Sequence, residues 1–254
     1  LNFLYYSDDR DYIHPTCNAS GTATGRFSYS NPNLQNVPKE DDEADKDNPT
    51  NVRRSFIPPE GYSILSVDYS AQEYRVLLDY ANERKVIQEV MEGKDLHQST
   101  ADIIGVSRKT AKTLNFALLY GAGVDKLAQS LGCSSVDATR LRREYFRALP
   151  NVDRFIRAVK QKGEDRGYIF NRYGRKFWCS DYKFSYKLVN HLIQGSSADI
   201  IKHAMTRLSE SLADKRTQMK LTIHDELLFY LHDTEHDLVP AIRKIMCDVY
   251  TPIN

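Results

Sequence analysis

Little in the sequence favours secretion, membrane insertion or a metal-stapled fold. The 254 residues include only four cysteines, and no two of them form a CxxC pair, so neither a disulfide framework nor a zinc site is predicted. No segment approaches the roughly 20 apolar residues of a membrane-spanning helix, and no signal-peptide pattern opens the chain. We therefore expect no membrane partner and an intracellular protein, cytoplasmic or nucleoid-associated, or in the host cytoplasm if the source is viral.

Net charge is also nearly absent, since 35 Lys and Arg stand against 34 Asp and Glu. The charge is unevenly distributed: Val136–Lys176 holds twelve cations and five acids, whereas Glu40–Asp47 holds six acids and one Lys. The basic stretch is typical of either a solvated helix face or a phosphate-binding surface. The acidic run predicts an exposed loop rather than a metal site. The chain begins with Leu1 rather than Met, from which we expect a fragment or a processed product.

Apolar patterning predicts strands towards both ends of the chain. Residues 1–60 are rich in turn-forming types, and the alternating segment YSILSVDYS then predicts a strand that ends at Asp68. Near the other end, KLTI and ELLFYL predict two strands on either side of a tight turn at His224 and Asp225.

Between these strands the spacing is helical. We predict helices over Ala71–Glu92, from Asp95 onwards, from the N-cap Ser107 to Tyr120, over Val136–Lys162 with a break at Pro150, and over Tyr186–Ser211, with a hairpin at Tyr168–Trp178. The predicted fold class is therefore α+β, an antiparallel sheet with a large helical insertion.

Two acids stand at strand ends. Asp68 and Asp225 are far apart in the sequence, but a sheet that pairs their strands would bring them together. Phosphoryl transfer uses such paired carboxylates to hold two metal ions, and hard oxygen ligands suit magnesium. Strand-end acids are also common as turn formers and caps.

Four residues recur at intervals of four and would form one stripe about 18 Å long on a helix: Arg108, Lys112, Phe116 and Tyr120. Two cations followed by two aromatic rings could hold a triphosphate at one end and stack a sugar and base at the other. A helix with both rings in the core and both cations extended towards solvent would be the simpler explanation of an isolated stripe.

Longer motifs connect these features. RKTAKTLNFALLYG resembles motif B of the family A, or DNA polymerase I, DNA polymerases, with the pattern R-x3-K-x3-F-x3-Y-G. DYSAQEYR at 68–75 is similar to motif A and IHDE at 223–226 to motif C, in the family's order. TGRFSYSNPNLQNVP, NHLIQGSSADIIKHAM and DLHQSTA resemble further family segments. The resemblance spans nearly the whole chain.

The resemblance implies a catalytic centre with two magnesium ions, for which manganese could substitute. Asp68 and Asp225 would hold the ions with help from the main-chain carbonyl of Tyr69. Glu226 would be a secondary acid beside them, although a solvated or hydrogen-bonded turn residue explains it equally well.

A nucleotide site is implied as well. Lys112 would bind the triphosphate and protonate the departing pyrophosphate, while Arg108 and His97 would contact the outer phosphates. Phe116 would stack on the incoming deoxynucleoside triphosphate, and Tyr120 would lie near the templating position.

Glu73 would press against the sugar and exclude a 2′-hydroxyl. An acid in the first turn of a helix is also favoured by the helix dipole, without any role in binding.

Primer-template DNA is the implied macromolecular partner. Arg26, Gln194 and His224, with Asn190 and Arg175 as weaker cases, would contact the minor-groove side of the primer terminus. Acceptors there are nearly the same for every base pair, so these residues would check shape rather than sequence. The basic middle segment would contact template phosphates.

The implied architecture is a right-hand polymerase core: residues 1–75 form the N-terminal part of the palm, 76–185 the fingers and 186–254 the C-terminal part of the palm. The family usually carries a thumb ahead of the position of Leu1, so we expect a core that lacks the thumb or receives it from a partner chain. The expected reaction is addition of deoxynucleotides to a primer 3′ end with release of pyrophosphate.

Three alternatives remain. A single-subunit RNA polymerase shares the palm, although Glu73 and Phe116 argue against it. A non-catalytic nucleic-acid-binding fragment and one half of a split polymerase are the others.

Overall fold

The computed structural model describes residues 3–37 and 52–250. The acidic run that was predicted to be a loop lies outside these ranges. The chain divides into two compact units. The sheet unit comprises the described residues of 3–70 together with Ala198–Tyr250, and the helical unit comprises Ala71–Ser197. Among the helices of residues 3–37 and 52–250, none combines the length and the hydrophobicity that a membrane span requires.

The sheet unit contains a three-stranded antiparallel sheet in the order β3-β7-β6. Its strands are β3 (Tyr62–Asp68), β6 (Gln218–Ile223) and β7 (Glu226–His232). A smaller antiparallel pair joins β1 (Thr16–Asn18) to β2 (Ser28–Ser30). The predicted strands around Asp68 and the His224–Asp225 turn are therefore confirmed.

Alternation along β3 and β7 gives the sheet one buried face. Leu65 and Val67 pack against a core that includes Leu227 and Phe229, and both β7 residues are fully buried. Each fully buried side chain of this size contributes about 1.5–3 kcal/mol to folding. The intervening residues of both strands point to the other face, and Asp68 is one of them.

The helical unit begins immediately after Ser70. Its helices are α1 (Gln72–Ala81), α2 (Arg84–Met91), α3 (Leu96–Ile104), α4 (Arg108–Leu119), α5 (Val124–Leu131), α6 (Ser135–Ala148) and α7 (Pro150–Arg166). A hairpin of β4 (Tyr168–Phe170) and β5 (Lys176–Trp178) follows. The long helix α8 (Lys187–Ser211) continues into the residues of the sheet unit, which ends with α9 (Val239–Asp248).

One predicted helix is two. The helix expected over Ala71–Glu92 is interrupted at Asn82, whose φ of +57° is left-handed. The N–H of Glu83 donates to the carbonyl of Leu78 at 3.0 Å, and the N–H of Asn82 donates to that of Asp79 at 3.1 Å. This pattern satisfies the last carbonyls of α1 and ends the helix. Helices α5 and α9 were not among the predicted elements.

Candidate active site

The backbones of the two predicted acids meet at one end of the three-stranded sheet. Asp68 is the last residue of β3 and pairs with Glu226, the first residue of β7. One step further, the N–H of Tyr69 donates to the carbonyl oxygen of Asp225 at 3.3 Å. Opposed Cα atoms in antiparallel strands lie about 4.5–5.5 Å apart, so the backbones of Asp68 and Asp225 lie close together at this end of the sheet.

The turn that carries Asp225 is short. Ile223 pairs with Glu226, so His224 and Asp225 alone form the loop between β6 and β7. His224 has a φ of +59°, which residues other than glycine seldom adopt. A residue held in such a conformation costs on the order of 1–3 kcal/mol, and such residues cluster at functional sites. Two-residue hairpin loops commonly require a positive φ, so this backbone conformation fits the tight turn that carries Asp225.

Glu226 is a buried carboxylate on the same face as Asp68. It is 5% exposed, and the Oγ of Ser66 donates to its Oε1 at 2.5 Å. Ser66 and Asp68 are two residues apart on β3, so their side chains share a face. Glu226 is thus a buried, hydrogen-bonded residue at the start of β7 and not a solvated turn residue.

The oxygen atoms at this end of the sheet suit a hard divalent cation. Asp68 is exposed and Asp225 is half-buried, which leaves room for water or substrate in a coordination sphere. The hydroxyl of Tyr69 donates to the carbonyl of Met246 at 2.5 Å, so the side chain is engaged in the core. The group of Tyr69 that remains as a candidate metal ligand is its main-chain carbonyl. In residues 3–37 and 52–250, no three His, Cys, Asp or Glu side chains cluster as a metal site. The candidate donor set is thus two carboxylates and one carbonyl.

A small cleft in the sheet unit brings together two predicted DNA-binding residues. Arg26 and His224 line it with Gln35 and Thr222. Gln35 Nε2 donates to the carbonyl of Thr222 at 3.3 Å, and the hydroxyls of Tyr29 and Thr222 are 3.2 Å apart. Sequence reasoning missed Gln35 and Thr222, although Gln35 lies in the quoted NPNLQNVP segment.

In the helical unit, α4 carries the predicted stripe. Ser107 caps the helix, since its Oγ accepts the N–H of Thr110 at 3.1 Å. Arg108 and Lys112 are exposed, Phe116 is half-buried, and Tyr120 follows the helix at 42% exposure. The apolar residues on the opposite face of α4 are buried in the hydrophobic core. The explanation that puts both rings in the core is therefore wrong for Tyr120.

Arg108 is bound by a carboxylate that the sequence did not single out. Its Nε and Nη2 donate to Asp95 Oδ1 and Oδ2 at 2.9 and 2.8 Å. Asp95 also caps α3 through the N–H of Gln98 at 2.8 Å. The hydrogen bonds from Arg108 hold the pKa of Asp95 well below its usual range. The pair is therefore ionised throughout the neutral range.

His97 lies beneath the stripe, only 6% exposed. Asn115 Nδ2 donates to its Nδ1 at 3.0 Å and lies 3.2 Å from Thr100 Oγ1. Burial lowers the pKa of His97. The ring is thus neutral at pH 7, and because Nδ1 accepts, the proton resides on Nε2. The ring centroid is 5.6 Å from that of Phe116.

The aromatic end of the stripe contacts the predicted sugar-selecting acid. Phe116 and Tyr120 stack with centroids 6.4 Å apart and planes at 21°. The hydroxyl of Tyr120 donates to Glu73 Oε2 at 2.8 Å. Glu73 lies in the first turn of α1 and is only 6% exposed, so it is more than a solvated acid that interacts with the helix dipole.

The remaining predicted DNA-binding residues belong to the helical unit. Asn190 and Gln194 are half-buried and four residues apart on α8, and therefore share one face. Arg175 is half-buried in the β4–β5 turn, where its N–H donates to Asn171 Oδ1 at 2.8 Å. Arg26 and His224, by contrast, belong to the sheet unit.

A family model described as DNA polymerase family A matches residues 3–252. The chain belongs to this family. The predicted resemblance is confirmed, and so is the mixed architecture of helices and antiparallel sheet. Thermostable DNA polymerase I of Thermus thermophilus is 33% identical over 250 residues, which cover 91% of this chain and 29% of that protein. The DNA polymerase of Mycobacterium phage L5 is 35% identical over 252 residues, covering 99% of this chain and 40% of that protein.

A solved polymerase domain has a closely similar fold. The polymerase domain of Pol1 from M. smegmatis, in complex with DNA primer-template and dNTP, superposes with a TM-score of 0.89 at 29% identity. The match covers 98% of this chain and 47% of that one. The chain thus spans less than half the length of these relatives.

Proposed function

We propose that this chain catalyses template-directed DNA synthesis, adding deoxynucleoside triphosphates to a primer 3′ end with release of pyrophosphate. The observation that carries the proposal is the end of the β3-β7-β6 sheet, where β3 finishes at Asp68 and the β6–β7 turn contains Asp225. The solved relative is described with primer-template and dNTP, and we transfer these partners to this chain.

Residues 1–75 and 186–254 are proposed as the palm and residues 76–185 as the fingers, so the palm would include most of the sheet unit and the fingers most of the helical unit. The palm assignment rests on the strand-end acids and the fingers assignment on α4 with its phosphate-binding side chains. A thumb, from another part of the protein or from a partner chain, is proposed to complete the grip on duplex DNA.

Asp68, Asp225 and the Tyr69 carbonyl would hold two magnesium ions, or manganese in their place. Bound metal would supply activation of the primer 3′-hydroxyl and neutralisation of charge on the phosphates. Glu226, fixed by Ser66 on the face of Asp68, would add negative charge that strengthens cation binding without needing to be a ligand.

The cationic end of α4 is proposed to hold the triphosphate. The primer 3′-oxygen would form a bond to the α-phosphorus and lose its proton to solvent, and as the bond to the leaving oxygen breaks, Lys112 would donate a proton to pyrophosphate. Arg108 would exchange Asp95 for a phosphate oxygen. His97 would donate from Nε2 as a neutral ring, because its Nδ1 accepts from Asn115.

The aromatic end is proposed to select the nucleotide. Phe116 would stack on the base and sugar, and Glu73 would occupy the space that a 2′-hydroxyl needs. Tyr120 would hold Glu73 in that orientation through its 2.8 Å hydrogen bond while lying near the templating position.

In the cleft of the sheet unit, Arg26 and His224 are proposed to contact the primer terminus. In the helical unit, Gln194, Asn190 and Arg175 are proposed as further DNA-binding residues. These donors would contact minor-groove acceptors, which differ little between base pairs. Discrimination would therefore follow the shape of the terminal pair.

Primer extension with magnesium and the four deoxynucleotides tests the proposal, with Asp225→Ala as the variant and Asp233→Ala as its matched control. Asp233 is exposed and follows the last residue of β7, at the opposite end of that strand. We expect extension to be lost in Asp225→Ala and retained in Asp233→Ala, with primer-template binding by fluorescence anisotropy little changed in both.

Equal extension by both variants would overturn the two-carboxylate mechanism. Preferential incorporation of ribonucleotides in the same assay would instead support the RNA polymerase alternative. If the chain alone does not extend, the comparison is made in the full-length protein.

A further inference from the structure

A chain of buried polar side chains connects four helices of the helical unit to the imidazole of His97. Its members lie on α1, α3, α4 and α6, and each is at most 1% exposed: Tyr74, Thr100, Asn115 and Tyr145. The hydroxyl of Tyr74 lies 3.0 Å from that of Tyr145 and 3.5 Å from Thr100 Oγ1. Asn115 Nδ2 completes the chain, 3.2 Å from Thr100 Oγ1 and 3.0 Å from His97 Nδ1. Because these groups are buried, each is oriented by its neighbours rather than by solvent.

Thr100 fixes the direction of the chain. Its hydroxyl donates its only proton to the carbonyl of Leu96 at 3.2 Å, so its oxygen can only accept from the other members. The Asn115 amide therefore turns its nitrogen towards Thr100, since the amide oxygen would face a second acceptor there. The same nitrogen lies against His97 Nδ1. Both protons of Nδ2 are thus used, one by Thr100 and one by the imidazole.

Asn115 acts in this site only through its nitrogen. Among residues 3–37 and 52–250, no group forms a hydrogen bond with its Oδ1, although the side chain is fully buried. A buried acceptor without a partner is destabilising, so the arrangement favours the two donated hydrogen bonds over a satisfied amide oxygen.

This orientation opposes a charge on His97. A protonated imidazole carries an N–H on both ring nitrogens, and the N–H on Nδ1 would then face the N–H of Asn115. Proton uptake therefore requires the amide to turn its oxygen towards the ring. In that orientation the amide oxygen would also face Thr100, which would have to withdraw its proton from Leu96. The amide thus acts in the same direction as burial, which lowers the pKa of His97.

The charged groups around His97 do not reverse this preference. Asp95, which precedes α3, favours the charged ring, whereas Arg108 and Lys112 on α4 oppose it, and burial has the largest effect on the pKa. From α1, the ring of Tyr74 lies 6.3 Å from the imidazole. Burial raises the pKa of this phenol to about 12, so it adds no charge.

We propose that Asn115 and Thr100 are positioning residues for His97: Thr100 orients the Asn115 amide, and the amide keeps the imidazole neutral with its proton on Nε2. Both act through His97 and need not touch a substrate. The tautomer rests on the buried chain alone. Donation from Nε2 to a triphosphate oxygen rests on the proposed function. Held in this way, the histidine would donate equally well across the neutral pH range.

Two substitutions that preserve side-chain size test the positioning. Thr100→Val removes the acceptor that orients the amide, and Asn115→Asp replaces the donating nitrogen by an accepting oxygen. Thr113→Val is the matched control, because Thr113 also donates to a helix carbonyl, that of Lys109 at 3.2 Å, but lies outside the chain. Long-range proton–nitrogen NMR spectra of histidine-labelled protein report which ring nitrogen is protonated. The spectrum of a His97→Gln variant assigns the signals, and circular dichroism confirms folding.

In the unsubstituted chain and in Thr113→Val, we expect His97 to carry its proton on Nε2 and to titrate with the same midpoint. In Thr100→Val, the tautomer with the proton on Nδ1 should appear. In Asn115→Asp, Nδ1 should be protonated and the midpoint should rise by about one pH unit or more.

An unchanged tautomer and midpoint in both variants would overturn the proposal, and a change in Asn115→Asp alone would overturn the part assigned to Thr100. If Asn115→Asp does not fold, Thr100→Val decides the matter. The spectra need no nucleotide, so this result stands even if the proposed function fails.

The effect on the reaction is measured as KM for a deoxynucleotide between about pH 6 and 9, by primer extension with the chain or the full-length protein. Above the midpoint of His97 in Asn115→Asp, the ring would turn the lone pair of Nε2 towards the phosphate. KM should therefore rise about tenfold or more through that midpoint, with kcat little changed. The unsubstituted chain should show no such step, and neither should Asn115→Asp/His97→Gln. A flat KM in Asn115→Asp with a displaced proton would overturn the role of this positioning in nucleotide binding.

Discussion

Replacing Asp95 by Asn should strengthen binding of the nucleotide triphosphate. In the structure, Asp95 occupies Arg108 through two hydrogen bonds of 2.9 and 2.8 Å, and Arg108 is a proposed phosphate ligand. Asn keeps one oxygen for the N–H of Gln98 and is an equally good N-cap. It loses the charge and the second acceptor that hold the guanidinium. Arg108 would therefore be released without loss of the helix start.

The size of the effect follows from the exposure of the pair. The side chains of Arg108 and Asp95 are 52% and 46% exposed. Exposed pairs contribute about 0.2–1 kcal/mol, and a two-bond arginine pair belongs near the upper value. About 1 kcal/mol corresponds to roughly a fivefold change in an equilibrium constant. We expect KM for the deoxynucleotide to fall by up to that factor with kcat little changed.

KM and kcat are measured by steady-state primer extension, with the chain alone if it extends a primer and otherwise with the full-length protein. Asp102→Asn is the control. Asp102 lies on α3 and pairs with Lys94 at 2.9 Å, so its substitution removes the same charge without touching Arg108. Arg108→Ala should raise KM. The reasoning is refuted if Asp95→Asn leaves KM unchanged or raises it in a folded protein, or if Asp102→Asn lowers KM equally. The difference should shrink at high salt, because exposed charges are screened.

Three further predictions concern the helical unit. Burial lowers the pKa of His97 from 6.5. As pH falls, His97 takes up a proton in the unfolded chain before it does so in the folded one. The stability contributed by the neutral ring is therefore full above pH 6.5 and is lost below it. NMR titration should give a midpoint below 6.5, and His97→Gln should flatten the pH dependence of unfolding. Tyr74→Phe removes a 3.0 Å hydrogen bond to the buried hydroxyl of Tyr145 and should cost about 1–3 kcal/mol in urea unfolding, with Tyr74→Phe/Tyr145→Phe costing less than the sum of the single changes. Gly163→Ala would set a methyl 2.0 Å from Leu188 Cδ1. The substitution should therefore fail to give the increase of about 1 kcal/mol in the free energy of unfolding that Ala brings in an open helix. In the Leu188→Ala background, where the clash is absent, Gly163→Ala should give that increase.

Local signals made much of the fold predictable. Ser107 begins α4 because its hydroxyl caps the helix, and Pro150 begins α7 because proline fits the first turn but not the interior. Alternation along β3 predicted its buried face and placed Asp68 at the end of the strand. The break at Asn82 was missed because it depends on a left-handed residue other than glycine, for which the apolar spacing gives no warning.

The candidate site was predictable in its residues but not in their contacts. The interval of four residues singled out Arg108 and Tyr120, and the family resemblance singled out His97. Their partners come from elsewhere in the chain: Asp95 lies 13 residues before Arg108, and Glu73 lies 47 residues before Tyr120. Such contacts depend on how α1, α3 and α4 pack together, and no periodicity in the sequence encodes that packing.

These partners determine which hydrogen bonds a bound nucleotide must displace. At the phosphate end, Arg108 is held by an exposed pair, so exchange for a phosphate costs about 1 kcal/mol or less. At the sugar end, Tyr120 donates to Glu73, a carboxylate only 6% exposed, and hydrogen bonds to charged groups contribute about 1.5–3 kcal/mol. A triphosphate would thus engage the cationic end cheaply, whereas a 2′-hydroxyl would have to disrupt the costlier bond. Under the proposed function, affinity is governed at the phosphate end of α4 and sugar selectivity at the aromatic end. Tyr120→Phe should therefore weaken ribonucleotide exclusion more than it changes KM for deoxynucleotides.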